Sequence, residues 1–334
     1  MEQKFDVTAL GELLIDFTES GLSSQGNLIL EANPGGAPCN VLAMLNKLGK
    51  KTAFIGKVGN DQFGKILKKA VKESGTDVSG LCMDDNVNTT LAFVHTLPGG
   101  DREFSFYRNP GADMMLTKEE VDQQLIKSSK IFHFGTLSST HPGVREATRY
   151  AVDIAKQYGL LISFDPNLRE PLWESLDQAK EEMLYGISKC DILKISDNEM
   201  EFLTGTTDYK KGAEMLRGQF DIPLICVTLG KDGSFACYKD MIAEAAPFVR
   251  EDTIETTGAG DTFEGCILAC ILEHGLEKLT YDNLKDMLAF ANAGASIITS
   301  KKGALKVMPE KNEIKEFMKE NKSRQEAFLP DTRL

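Results

Sequence analysis

Short apolar runs alternate along this chain with segments whose apolar residues recur at helical spacing, and that alternation leaves few folds open. Phe5–Leu10, Thr52–Ile55, Ile131–Phe134, Leu160–Phe164, Ile192–Ile195 and Leu224–Leu229 are apolar on both faces, the pattern of strands buried inside a parallel sheet. Between them, Val41, Met44, Leu45 and Leu48 mark one helix face, and Gly49 follows as a stop. Phe63, Ile66, Leu67, Ala70 and Val71 repeat the pattern ahead of Gly75, as do Val144, Ala147, Ala151, Ile154 and Ala155 ahead of Gly159. Phe263, Cys266, Ile267, Cys270 and Ile271 mark a late helix closed by Gly275, and Thr117 with Glu120 has capping-box spacing before Val121. Strands joined through helices form right-handed crossovers, so a doubly wound, mostly parallel α/β sheet between helices is expected.

One region breaks the alternation. Thr89 to Arg108 reads as two strands around Pro98-Gly99-Gly100-Asp101, and Asn27–Glu31 as a shorter strand. Together they predict a small antiparallel β sheet, a lid over a site at the C-terminal strand ends. Glu320–Leu334 is polar and read as peripheral.

The formal net charge of −12 argues against nucleic acid or an anionic membrane as partner, since both reward clustered Lys and Arg. It also means that an anionic substrate would have to be held by local features such as helix N-termini. The 7 cysteines are odd in number and irregularly spaced, with no C-x-x-C, which suits reduced thiols and a cytoplasmic location. The start of the chain lacks the form of a signal peptide, and apolar stretches such as Ile267–Leu272 fall far short of the ~20 residues that span a bilayer. His95, His133, His141 and His274 are scattered and receive no role, and Cys39 and Trp173 are read as packing.

The strongest chemical signal is Glu255-Thr256-Thr257-Gly258-Ala259-Gly260-Asp261-Thr262-Phe263. Its glycines let backbone N–H groups approach a ligand at a helix start, where the dipole favours an anion. Asp261, in the same turn, lies where it could take the proton of an attacking hydroxyl, although Thr, Gly and Asp also serve as plain helix caps. No G-x-x-x-x-G-K-[ST], no protein-kinase motif set and no G-x-G-x-x-G is present. A second Gly-rich turn, Pro34-Gly35-Gly36-Ala37-Pro38-Cys39-Asn40, leads into the Val41 helix, where Asn40 could bind sugar hydroxyls; Asp16 could accept from them too.

In this combination the chain resembles the ribokinase-like, PfkB-type family of carbohydrate kinases over nearly its whole length. Gly35-Gly36 to Gly59 resembles the family's N-terminal signature and Glu255 to Phe263 its C-terminal one. Within the family the chain is most similar to fructokinases, through Phe106-Tyr107-Arg108, Phe164-Asp165-Pro166-Asn167-Leu168-Arg169 and Pro171-Leu172-Trp173. The resemblance implies one domain over residues 1–334, with a lid formed by segments near 12–34 and 86–112. It implies Asp261 as base, and Gly258, Ala259 and Gly260 as the anion hole over the γ-phosphate. Asp16, Gly35, Gly36 and Asn40 match sugar-binding positions, and Phe106 and Arg108 lid positions that face ketose-type substrates. Arg169 matches an arginine near substrate and transferring phosphate. Lys194, Thr228, Gly230, Lys231, Gly233 and Asn292 are assigned to the nucleotide. Glu199 keeps the acidic position that holds Mg²⁺ through water, although Ser196 replaces the more usual Asn. Glu255 replaces an Asp that, in some members, helps bind K⁺.

The implied activity is transfer from Mg·ATP to a primary hydroxyl of a sugar, fructose giving fructose 6-phosphate. A 2-keto-3-deoxygluconate kinase is the alternative, because Arg108 and Arg169 could serve a carboxylate. From another class, the alternative is a non-catalytic sugar- or nucleotide-binding protein. The resemblance also implies a homodimer paired through the lid.

Overall fold

In the computed structural model of the chain, residues 3–96 and 102–321 are described. The expected turn Pro98–Asp101 and most of Glu320–Leu334 lie outside them. The strands are β1 (Phe5–Leu10), β2 (Leu14–Leu22), β3 (Leu28–Gly35), β4 (Thr52–Gly59), β5 (Asp77–Asp84), β6 (Leu91–Thr96), β7 (Arg102–Tyr107), β8 (Ser129–Gly135), β9 (Leu161–Asp165), β10 (Ile192–Ser196), β11 (Leu224–Thr228), β12 (Ser234–Tyr238) and β13 (Met241–Ala245). The helices are α1 (Ala37–Lys47), α2 (Gln62–Glu73), α3 (Gln123–Lys127), α4 (Pro142–Gln157), α5 (Leu176–Ile187), α6 (Asp197–Thr204), α7 (Tyr209–Phe220), α8 (Ala259–His274), α9 (Tyr281–Ile298) and α10 (Lys311–Glu320). Thr117 and Glu120 do form a capping box, but on a 3₁₀ turn, Lys118–Glu120, rather than on a longer helix.

A 9-stranded sheet runs β13-β12-β11-β10-β9-β8-β1-β4-β5. Pairings from β11 through β1 to β5 are parallel, and β12 and β13 add an antiparallel edge. The chain leaves β1 toward β4 and β5, then returns to β8 on the other side. Ligands of such sheets bind beyond the carboxyl ends of strands near that reversal.

Parallel strands covered on both faces need apolar side chains on both. On β11, Leu224 and Cys226 point into one core and Ile225 and Val227 into the other. The first core also takes residues of α1, α2, α8, α9 and α10, and the second residues of α4, α5, α6 and α7. α8 is enclosed between the sheet, α1 and α9, and buries Phe263, Ile267 and Ile271, each contributing roughly 1.5–3 kcal/mol of transfer free energy.

The lid is a 4-stranded sheet, β3-β2-β6-β7. Its outer pairs are antiparallel, but β2 and β6 pair in parallel, Phe17 opposite Phe93. Those two rings stack at 5.0 Å, and Phe17 meets Phe63 of α2 edge-on at 5.6 Å, which fastens the lid to the main layer. Among the described residues no helix is long and apolar enough to cross a membrane.

Candidate active site

Two hollows, each of about 450 Å³, meet at the start of α8. The first is lined by Asp16, Gly36, Asn40, Phe106, Arg169 and Asp261, the second by Thr228, Gly230, Lys231, Gly233, Phe248 and Asn292. Thr256 and Gly260 border both.

Gly258 caps α8 at φ 77°, a left-handed conformation in which a side chain would be strained. It turns the chain so that the first helical turn points its N–H groups at the junction. Helix-start donors have no partner within the helix. Here the Ala259 N–H is taken by Thr256 O at 3.2 Å, while those of Gly260 and Asp261 have no partner among the described residues. Of the expected donor set of Gly258, Ala259 and Gly260, Ala259 thus has its N–H engaged within the turn.

Asp261 Oδ2 accepts the Asn40 side-chain N–H at 2.8 Å, which joins α8 to α1 across the cavity. Burial pushes the Asp261 carboxyl up to about 6; Asp165 adds to this, while the Asn40 hydrogen bond, Lys194 and Arg169 oppose it. Asp16 is pushed up to about 7, chiefly by burial, against the pull of Arg169. Gly35 lies opposite Leu14 on the lid, and a Cβ there would collide with Asp16 Oδ2. Only glycine leaves that carboxylate its place. Gly36, at φ 133°, has the Glu12 carbonyl where its Cβ would be.

Arg108 is placed differently from the expectation. The residue lies just past the end of β7 and is 7% exposed. Its Nε donates to Asp113 Oδ2 at 2.8 Å, Nη1 to Thr140 Oγ1 at 2.8 Å and Nη2 to the Leu137 carbonyl at 2.9 Å. A guanidinium so occupied is neither a solvated edge charge nor aimed into the first hollow, whose lining does not include it. Phe106, in contrast, does line that cavity, and Tyr107 points away at 68% exposure, as strand alternation requires.

Lys194, assigned to the nucleotide from sequence, lines the first hollow instead. Its Nζ pairs with Asp165 Oδ2 at 2.9 Å, and a Cβ on Gly260 would sit 3.0 Å from it. Burial works against the charge, but Asp165, Glu199 and Asp261 outweigh it and raise the Lys194 pKa. The cation is thus fixed directly below the helix start. Asn292 donates to the carbonyls of Ala245 and Ala246, at 3.1 and 3.0 Å, and so shapes the wall of the second hollow.

Glu199 and Ser196 form the capping box of α6: Glu199 Oε2 accepts from Ser196 N and Oγ, and Oε1 accepts from Leu168 N at 2.7 Å. Among the described residues, no group of three His, Cys, Asp or Glu could hold a metal ion. A carboxylate oxygen such as those of Glu199 suits Mg²⁺, which dehydrates reluctantly and is held mainly by water and substrate phosphates. Glu255 Oε1 accepts the Gly303 N–H at 2.8 Å and ties together two loops beside the junction.

Sequence reasoning missed Glu12. It is buried, lines the sugar-side hollow, and accepts the Ala37 N–H at 2.7 Å. Burial pushes it up to about 7, with Asp113 adding and Arg108 opposing. Its signal was a carboxylate two residues past the first strand, at the end of the sheet where sites form.

Comparison with known proteins agrees with this geometry. The family model described as "pfkB family carbohydrate kinase" matches residues 4–311. Fructokinase-1 of Zea mays is 40% identical over 311 residues, covering 92% of this chain and 96% of its own. A fructokinase with bound ATP from Xylella fastidiosa superimposes with a TM-score of 0.86 at 27% identity, covering 95% of this chain and 99% of its own. A fructokinase variant from Vibrio cholerae O395, in fructose-, ADP- and potassium-bound form, superimposes at 0.84 with 27% identity and the same coverage. The chain belongs to the pfkB family of carbohydrate kinases: it is a sugar kinase, a phosphotransferase.

Proposed function

We propose that the sugar is fructose and the donor Mg·ATP, with fructose 6-phosphate and ADP as products. The observation that carries this reading is Asp261, held by Asn40 at the meeting point of the two hollows and beside N–H groups of α8 that have no partner among the described residues. Fructose sits in the first hollow, its hydroxyls held by Asp16 and Asn40, with Phe106 as an apolar wall. ATP sits in the second, against Thr228, Gly230, Lys231, Gly233 and Asn292. Asp261 accepts the proton of the attacking hydroxyl, while the N–H groups at the start of α8, Lys194 and Arg169 meet the charge on the transferring group. Glu199 would orient Mg²⁺ through water, and the ion would supply charge neutralisation at the phosphates. K⁺ is assigned to the loops that Glu255 joins. Relatives with bound ATP and with bound fructose and ADP support the choice of these two substrates. The engagement of Arg108 by Asp113 weighs against an acid sugar, which would use both arginines. The lid exposes Leu22, Leu28 and Tyr107, and we assign that surface to a second copy of the chain.

ADP release over fructose, ribose, glucose, adenosine and 2-keto-3-deoxygluconate tests the proposal, with Mg²⁺ or EDTA and with K⁺ or Na⁺. Fructose should give the highest kcat/KM, with turnover lost in EDTA. Preference for the acid sugar would overturn the fructose assignment, and sugar-independent ADP release the kinase scheme.

A further inference from the structure

Beneath the reacting centre lies a polar layer of which the proposed phosphoryl transfer uses Lys194 alone. Glu264 sits one turn past Asp261 on α8 and is 0% exposed. Its Oε1 accepts the Ser163 hydroxyl at 2.6 Å, and Ser163 Oγ lies 2.8 Å from His133 Nδ1. His133 and Ser163 are register partners on β8 and β9. Ser163 is two residues ahead of Asp165, so both side chains stand on one face of β9. Asp165 in turn holds Lys194, whose ammonium lies below Gly260. The first two turns of α8 therefore rest on His133, Ser163, Asp165 and Lys194, contributed by three adjacent strands.

Charge in this layer is tightly constrained. Asp165 takes the cation, and Glu264 has no ion-pair partner among the described residues. Glu264 Oε2 and Asp165 Oδ1 are both buried without a hydrogen-bond partner among the described residues. An unpaired carboxylate in such a place is costly, and the group stays protonated instead. Burial, then Asp165 and Asp261, push Glu264 up to about 8, against Ser163 and Lys194. His133 supplies no counter-charge, because burial and Lys194 hold it down to about 3. The other groups that feel Glu264 are the Cys226 thiol of β11 and the Cys190 thiol ahead of β10, both raised by burial and neutral.

We propose that Glu264 is a positioning residue for phosphoryl transfer: as a neutral acid it seats α8 on the Ser163 layer and adds no second carboxylate beside the Asp165 that is ion-paired with Lys194. The inference rests on the kinase reading and deepens it. When Glu264 loses its proton, a second anion competes for the field of Lys194 under the helix start. The site then holds the triphosphate less well. Glu264 touches no reacting atom; it acts through Lys194.

The test compares wild type with Glu264→Gln, which keeps the shape and the acceptor for Ser163 but cannot ionise. Steady-state kinetics and the Kd of Mg·ATP are measured from pH 6 to 10. In wild type, kcat/KM for ATP should fall and Kd rise as pH passes about 8, together by roughly tenfold. In Glu264→Gln both should stay level over that range while kcat at pH 7 is kept. Ser163→Ala gives an independent reading: it removes a hydrogen bond that favours the carboxylate, so the alkaline fall should move to higher pH. A Glu264→Gln profile that superimposes on wild type, or a Ser163→Ala profile that does not move, overturns the proposal and leaves the kinase reading intact. A wild-type protein that binds Mg·ATP but releases no sugar-dependent ADP overturns both.

Discussion

At the scale of single residues, the proposed chemistry rests most heavily on Asp261. Asp261→Asn removes the base but keeps the amide contact with Asn40 within reach, so kcat should drop at least ~10²-fold with ATP affinity preserved. Because a base works only when deprotonated, and this carboxyl is pushed up to about 6, wild-type kcat should fall as pH drops below about 6. A variant keeping half the wild-type kcat would remove Asp261 from the role. Arg108 carries a different expectation. Its ion pair with Asp113 is 3% and 2% exposed, and removing one partner of such a pair costs roughly 3–5 kcal/mol. Arg108→Ala should lower Tm sharply while the folded fraction retains the KM for sugar. Unchanged Tm with a raised KM would restore the direct sugar contact that the sequence suggested. The sequence reading had Arg108 on the lid hairpin facing the sugar; in the structure it lies just past β7 and turns to Asp113, Thr140 and Leu137. Nothing local signals that Asp113, five residues on, and Thr140 converge on it.

Among the elements, those that carry the site were the most legible. The runs at β1, β8, β10 and β11 and the stripes of α1, α2, α4 and α8 lie where periodicity put them, since burial on both faces or on one stripe writes a strong pattern. β5, β12 and β13 were missed because their apolar content is interrupted, as in Asp77-Val78-Ser79-Gly80 and Met241-Ile242-Ala243-Glu244. β2 was missed too, although Leu14-Ile15-Asp16-Phe17-Thr18 alternates toward its end. That miss has a consequence for the lid: β2 lies at its centre, and its parallel pairing with β6 makes the sheet mixed. If a second copy docks on the lid's outer surface, sedimentation should give twice the chain mass, and Leu28→Glu should give a monomer. A wild-type monomer at micromolar concentration would end that assignment.

Across the whole molecule, the buried carboxyls set how stability responds to pH. Glu12 and Asp16 are pushed up to about 7, Asp261 to about 6 and Glu264 to about 8. A carboxyl whose folded pKa lies above its unfolded value contributes stability that is full below the unfolded pKa and is lost as pH rises through the folded one. The ligand-free protein should therefore be more stable at pH 6 than at pH 8.5, by at least ~1 kcal/mol, in denaturant titrations. Equal stability at the two pH values would mean these groups are better solvated than their burial suggests.

The helix that carries Asp261 is also walled in by the sheet, α1 and α9. Most enzymes lose function on warming before they lose shape, because the groups that react sit on margins that loosen early. Here the helix that carries the proposed base packs its body into the interior, Phe263, Ile267 and Ile271 included, while Asp261 is half-buried at its first turn. Loss of turnover on heating and loss of near-ultraviolet circular dichroism should follow a single curve. An activity midpoint several degrees below the structural one would show that the lid, not the core, is the first part to let go.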